Sequence, residues 1–367
     1  MVKLFTSIAI VAVSIAVARA QSTGPLDASK YPRPDAVPPT NSPEVQAWLK
    51  EIDLTGAPSL PLNKNEECSP KPVPNECRWT CDGCAGEDVT HCGRANTWGL
   101  TFDDGPTAAT SGLLDFLKTK NHKASFFLIG GNVLALPDVV RREVAEGHHL
   151  ASHTWSHKPL TSLSNEQIVA EMKWTEKAVM DATGLRLKYM RPPYGDVNNR
   201  VRFVLKKLGY IIVDWTGDEF DTNDWKLPTI TEGDVVKRIT TSLDAYVKTN
   251  KTQGFYCLEH DLSELTVNAA KKLIPLGDAR NITIAPIPLC ENDLPGYQSG
   301  STAPLPSNSP SSSTLPTGSS TGGTSPTTSG TTPTVSTAGK TSAGARGQIL
   351  TMSGAIAAVA MAAALLA

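Results

Sequence analysis

The chain has 367 residues, with 34 Lys and Arg against 36 Asp and Glu and a formal net charge of −2. That balance carries no basic excess and argues against nucleic acid as a partner. Seven cysteines are too many to ignore and too odd in number to pair completely.

From the N-terminus, residues 1–20 begin with Lys3, continue through an almost wholly apolar stretch and end Ala18-Arg19-Ala20. A basic start, a short apolar core and an A-x-A end have the form of a cleaved secretory signal. The run is too short to span a membrane, and a Pro-rich polar segment follows it. Residues 21–96 form a Pro-rich and Cys-rich lead-in, with one short helix expected from Ser42-Pro43 past Trp48. In an exported chain Cys68, Cys77, Cys81, Cys84, Cys92 and Cys290 are disulfide candidates. Cys257 is expected to be the free thiol, because it lies in an apolar strand. The pair Cys81-x-x-Cys84 lacks a second such pair, so a zinc ribbon is disfavoured.

Residues 97–290 alternate apolar strand-like runs with amphipathic helical stretches. The runs are 98–103, 124–129, 149–152, 188–191, 210–214, 254–259 and 282–285. Ser164-Asn165-Glu166-Gln167 is a capping box that opens a helix running to Thr183, where Gly184 stops it. Pro137 opens another helix that ends near Gly147. This alternation predicts an α/β fold, a distorted, incomplete (β/α) barrel of about seven parallel strands with helices outside. Periodicity leaves a doubly wound open sheet as the alternative. Asn250-Lys251-Thr252 and Asn281-Ile282-Thr283 are glycosylation sequons.

From residue 298 to 346 the chain is dominated by Ser, Thr, Pro and Gly, a composition that cannot bury a core and suits an extended stalk. Ser336-Thr337-Ala338 or Ser342-Ala343-Gly344, a polar spacer and the apolar residues of 347–367 follow in the order of a GPI-anchor signal whose tail is removed. A true membrane span is the competing reading of that tail. Anchoring places the protein on the outer face of the plasma membrane or in the cell wall.

The chemistry concentrates at strand ends. Thr101-Phe102-Asp103-Asp104-Gly105-Pro106 closes the first strand with two carboxylates, and His153-x-x-x-His157 follows the third. One Asp and two His leave a fourth position open, as catalytic zinc sites do. The spare carboxylate is then the expected base for activating water. Arg191-Pro192-Pro193-Tyr194, Asp214 and Leu258-Glu259-His260 end the fourth, fifth and sixth strands. In a barrel all of these converge on the carboxyl face. Asp214, Asp218 and Glu219 read as an acidic loop near the site, suited to touching sugar but not to catalysis.

Five ordered segments, Thr101–Pro106, His153–His157, Arg191–Tyr194, Asp221–Trp225 and Leu258–His260, resemble the motifs of the polysaccharide deacetylases, carbohydrate esterase family 4, and within it the fungal chitin deacetylases. The resemblance implies metal-dependent removal of N-acetyl groups from chitin, giving chitosan and acetate in cell-wall remodelling. It implies a divalent metal, zinc foremost and cobalt as an alternative, on Asp104, His153 and His157. Asp103 would take the proton from the attacking water and Arg191 would hold Asp103. The Tyr194 backbone N–H would stabilise the oxyanion, His260 would protonate the leaving amine, and Asp221 would pair with that histidine. Trp225 and Leu258 would wall the acetyl pocket. The expected partners are chitin or its oligomers, with a monomeric protein held to the membrane by its anchor. Hydrolysis of another acetylated polymer, such as peptidoglycan or xylan, and a non-catalytic wall-binding role are the competing functions.

Overall fold

The computed structural model describes residues 24–64, 68–69, 71, 73–249 and 252–301. The expected signal segment, the apolar tail, sequon residue Asn250 and all of the stalk beyond residue 301 lie outside the described residues. No helix among the described residues is long and apolar enough to cross a membrane.

Among the described residues, seven strands form one parallel sheet. They are β1 (Thr97–Asp103), β2 (Ser125–Leu128), β3 (His149–Ser152), β4 (Tyr189–Met190), β5 (Ile211–Ile212), β6 (Phe255–Cys257) and β7 (Thr283–Ala285). The order is β5-β4-β3-β2-β1-β6, with β7 also on β1. Trp98 and Gly99 of β1 pair with β6 and with β7, whereas Thr101–Asp103 pair with β2. β1 therefore has β6 along one side and shares its other side between β7 and β2. Among the described residues no regular strand lies between β5 and β6. Residues 216–222 fill the gap instead: Thr216 N donates to Tyr256 O at 3.0 Å and Leu258 N donates to Phe220 O at 2.9 Å. The result is the distorted, incomplete barrel that the alternation predicts.

Because side chains alternate along a strand, each strand supplies two cores. Trp98, Leu100, Phe102, Phe126, Leu128 and Leu150 face outward and pack with Leu113, Leu117, Val140, Ile168, Met172 and Val204 of the helices. Phe127, Ala151, Tyr189, Val213 and Tyr256 face inward with Cys92, Ile287 and Cys290. Burying each large apolar side chain stabilises the fold by about 1.5–3 kcal/mol. The interior is tight enough to demand glycine at position 99, where a Cβ would lie 2.2 Å from the Tyr256 ring.

The helices begin where local chemistry favours them. Ser164 and Gln167 form a reciprocal capping box on Asn165–Thr183, which ends at Gly184 in the left-handed conformation. Ser42 caps the lead-in helix Pro43–Glu51. The lead-in is not a loose arm. Val45 is fully buried, Tyr31 stacks on Trp155 at 6.0 Å, and the Trp155 indole donates to Arg33 O at 2.9 Å.

Three disulfides join Cys68 to Cys81, Cys77 to Cys84 and Cys92 to Cys290, while Cys257 is buried and free. The last links residues 198 apart, at the end of the barrel away from the strand C-termini. Replacing both Cys92 and Cys290 by Ser should lower unfolding free energy by several kcal/mol, with about 5 kcal/mol as the chain-entropy limit for a loop of that size. A guanidinium midpoint unchanged from the parent would refute this.

Candidate active site

The inward register that builds the barrel interior continues past the strand ends. Asp103 lies two residues beyond Thr101, His153 two beyond Ala151, Arg191 two beyond Tyr189 and His260 four beyond Tyr256. Their side chains therefore leave the apolar interior on the same face. They meet in a cavity of about 340 Å³ lined by Asp103, Asp104, His153, His157, Pro192, Tyr194, Gly195, Trp215, Asp221, Trp225, Leu258 and His260. Arg191 lies behind it, fully buried.

Among the described residues, Asp104, His153 and His157 are the one group of His, Cys, Asp or Glu able to hold a metal ion, with ligand atoms within 4.8 Å of one another. Asp104 Oδ1 is 3.1 Å from His157 Nε2 and 3.4 Å from His153 Nε2. That oxygen is buried and has no hydrogen-bond partner. His153 Nδ1 donates to Arg191 O at 2.8 Å, which leaves Nε2 as the coordinating atom of a neutral ring. A lone pair facing a carboxylate is repulsive unless a cation lies between them, so the donor set fits a divalent metal. The backbone is strained to achieve this: Asp104, Thr154, His157 and Tyr194 all have left-handed φ, at 75°, 67°, 56° and 61°. Gly105 follows because a Cβ there would lie 2.4 Å from the Asp261 carboxylate.

Asp103 is held from behind. Arg191 Nη1 donates to its Oδ1 at 2.9 Å and to Thr101 Oγ1 at 3.0 Å, while Nε and Nη2 donate to the carbonyls of Val213 and Asp214. The guanidinium lies 4.3 Å from the Phe127 ring centre.

At His260 the structure corrects the sequence reading. The partner is Asp224, not Asp221. Asp224 Oδ1 accepts from His260 Nδ1 at 2.6 Å, and Oδ2 accepts from the His260 backbone N at 2.9 Å. Asp221 bridges to Leu258, two residues short of the histidine, and its Oδ1 accepts from Asn223 N at 2.8 Å. The turn through Thr222 and Asn223 carries the chain on, so the second carboxylate of the segment arrives level with His260. Asp221 still lines the cavity, and burial raises its carboxyl above the usual range. Burial alone would lower the His260 pKa, but the charge and hydrogen bond of Asp224 prevail and raise it to about 10.

Tyr194 is 58% exposed at the cavity mouth and its ring lies 4.7 Å from His157. Trp225 is half exposed beneath the Lys226 ammonium, and Leu258 is buried. The residues of the expected acidic loop part company in the structure. Asp214 is fully buried, and burial raises its carboxyl well above the usual range. Asp218 pairs with Arg238 at 2.9 Å, and none of Asp214, Asp218 and Glu219 lines the cavity. Of the sequons, Asn281 is exposed and accepts from Asn96 Nδ2 through its carbonyl. Sequence reasoning missed Asp224, Trp215 and Glu171. For Glu171, a signal was available as a charged residue on the apolar face of the helix Asn165–Thr183.

A carboxylate with two histidines, a second carboxylate clamped by arginine and an imidazole held by a buried acid, at the C-terminal face of a parallel barrel, define a hydrolytic class of site. The profile described as Polysaccharide deacetylase matches residues 90–213. Chitin deacetylase 1 of Saccharomyces cerevisiae is 39% identical over 239 residues, covering 65% of this chain and 75% of the yeast protein. Chitin deacetylase 1 of Cryptococcus neoformans is 40% identical over 261 residues, covering 68% of this chain but 55% of that protein. The chain spans little more than half the length of that relative. The solved chitin deacetylase of Colletotrichum lindemuthianum superposes with a TM-score of 0.54 at 30% identity, covering 58% of this chain and 96% of that one. The chain belongs to the polysaccharide deacetylase family.

The His260 geometry has a direct readout. Its ring should hold a proton until pH approaches about 10, because Asp224 stabilises the charged form. Asp224→Asn should bring the titration down toward the ordinary imidazole range, and Asp221→Asn should move it less. NMR titration of the His260 ring decides, and a larger shift in Asp221→Asn would reassign the pairing to Asp221.

Proposed function

We propose that this protein hydrolyses the N-acetyl groups of chitin, leaving glucosamine units and releasing acetate. The observation that carries the proposal is the opposed pinning of two proton-transfer groups in one cavity. Arg191 holds Asp103 ready to accept a proton, and Asp224 holds His260 charged and ready to donate one. Similarity to proteins named chitin deacetylase supports the choice of substrate.

Asp104, His153 and His157 would hold a divalent cation, zinc foremost, which when bound supplies Lewis acidity to the attacking water and the acetamide carbonyl. Asp103 accepts the proton as the water oxygen bonds to the carbonyl carbon. The Tyr194 backbone N–H is assigned to the developing oxyanion. His260 then donates its proton to the amide nitrogen as the C–N bond breaks, since an amine leaves poorly as an anion. Asp224 keeps that proton available and fixes the ring so that Nε2 serves the cavity. Trp225 and Leu258, at the rim and in the wall, bound the space for the acetyl methyl. Residues 1–20 and the stretch from 298 to 367 support export and a surface-anchored setting in which the enzyme meets wall chitin. The catalytic unit is assigned to residues 97–290 and a monomer suffices, since every group named comes from one chain.

Acetate release from chitin oligomers, measured against acetylxylan and acetylated peptidoglycan, tests the substrate; preference for either alternative would overturn chitin. Asp104→Ala and His157→Ala should lose bound zinc and nearly all activity, and full zinc occupancy in the purified variants would remove them as ligands. His260→Ala should lose about 10²–10⁴-fold on the acetamide and much less on an activated acetate ester, whose leaving group needs little protonation. Equal losses on both substrates would dismiss His260 as the acid.

A further inference from the structure

The helix Asn165–Thr183 carries a carboxylate on its buried face that reaches neither solvent nor the cavity. Glu171 is fully buried. Its Oε2 accepts from Trp155 N at 2.7 Å and from Ser156 N at 2.8 Å, and its Oε1 accepts from Ser156 Oγ at 2.5 Å. Trp155 and Ser156 lie midway between His153 and His157, so one side chain holds the backbone joining two imidazoles. That backbone needs holding. Thr154 and His157 sit at φ values of 67° and 56°, conformations that cost a β-branched or bulky residue about 1–3 kcal/mol and persist only where surroundings enforce them. Gly130 N and Gly131 N donate to the carbonyls of Thr154 and Trp155, supporting the same turn from its other edge. A carboxylate taking two backbone amides and a hydroxyl forms short, charge-assisted bonds of fixed direction.

We propose that Glu171 is a positioning residue for the metal centre, setting the separation and aim of His153 and His157 through the backbone of residues 155–156. The proposal rests on the assignment of Asp104, His153 and His157 as ligands. Residues outside the ligand set that orient it are commonly worth 10–100-fold in metal affinity. The side-chain chemistry gives a graded prediction. Glu171→Gln keeps the length; its carbonyl can accept both amides while its NH₂ donates to Ser156 Oγ. Glu171→Met keeps the length and removes every acceptor. Glu171→Asp keeps the charge and withdraws it by one methylene.

Zinc affinity of the full-length protein, measured by competition with a chromophoric chelator, and the visible spectrum of the cobalt-loaded protein test this. Glu171→Met should weaken zinc about 10–100-fold and alter the cobalt bands, Glu171→Asp should weaken it about tenfold, and Glu171→Gln should stay within about threefold of the parent. Zinc binding in Glu171→Met within about threefold of the parent would overturn the proposal; if that variant does not fold, the same result in Glu171→Asp overturns it. Equal losses in Glu171→Gln and Glu171→Met would also overturn it, by assigning the effect to charge rather than to position. A parent that binds no zinc would reject the ligand assignment itself, an outcome distinct from a parent that binds and variants that bind equally well.

Discussion

Arg191 is the point on which the site turns. A fully buried guanidinium is tolerable only when paired and hydrogen-bonded, and this one makes four hydrogen bonds. Its side chain reaches Asp103, Thr101 and the carbonyls of residues 213 and 214, and its plane covers Phe127. Its own carbonyl accepts a hydrogen bond from His153 Nδ1. One residue at the end of a two-residue strand thereby fixes the proposed base through its side chain and a ligand through its backbone. It also ties β1, β4 and the start of the closing segment together, so the same hydrogen bonds that shape the site hold the carboxyl end of the barrel shut.

The second half of the site follows the same logic with the charges reversed. Asp224 binds both the ring and the backbone N–H of His260, which fixes ring orientation and chain position at once. Asp103 and His260 are neighbours across a parallel bridge, so the two proton-transfer groups are separated by sheet geometry rather than by flexible loops. The strained residues, Asp104, Thr154, His157 and Tyr194, all belong to the connections after strands, where hydrogen bonds from buried groups offset their conformational cost.

Much of this is legible in the sequence. Strong apolar runs located all seven strands, and the Ser164 capping box with Gly184 bounded the longest helix to the residue. The site was legible because its residues continue an alternation already set by the strands. The rest depended on geometry that spacing does not encode. Asp221 and Asp224 are both carboxylates in one short turn, and only the pairing of Asp221 with Leu258 decides which of them reaches His260. Asp214 ends a strand as catalytic groups do, yet its side chain turns into the interior. Glu171 lies on a helix far from the motifs in sequence, so its grip on residues 155 and 156 is invisible without the packing. The closure between β5 and β6 is made by irregular backbone, which has no period to read.

The contacts of the lead-in bear on the order in which the chain is made. Tyr31 and Arg33 find their partner in Trp155, 122 residues after Arg33, and Cys92 finds its partner 198 residues later in Cys290. A ribosome delivers the lead-in first, with nothing yet present for it to cover, and it delivers β7 and Cys290 only near the end of the barrel sequence. The first strand likewise waits for both β6 and β7 before its N-terminal half is flanked on two sides. A chain built this way pairs the C-terminal half of its apolar β1 with β2 early, but leaves the N-terminal half without strand neighbours until residues 255–285 have been made.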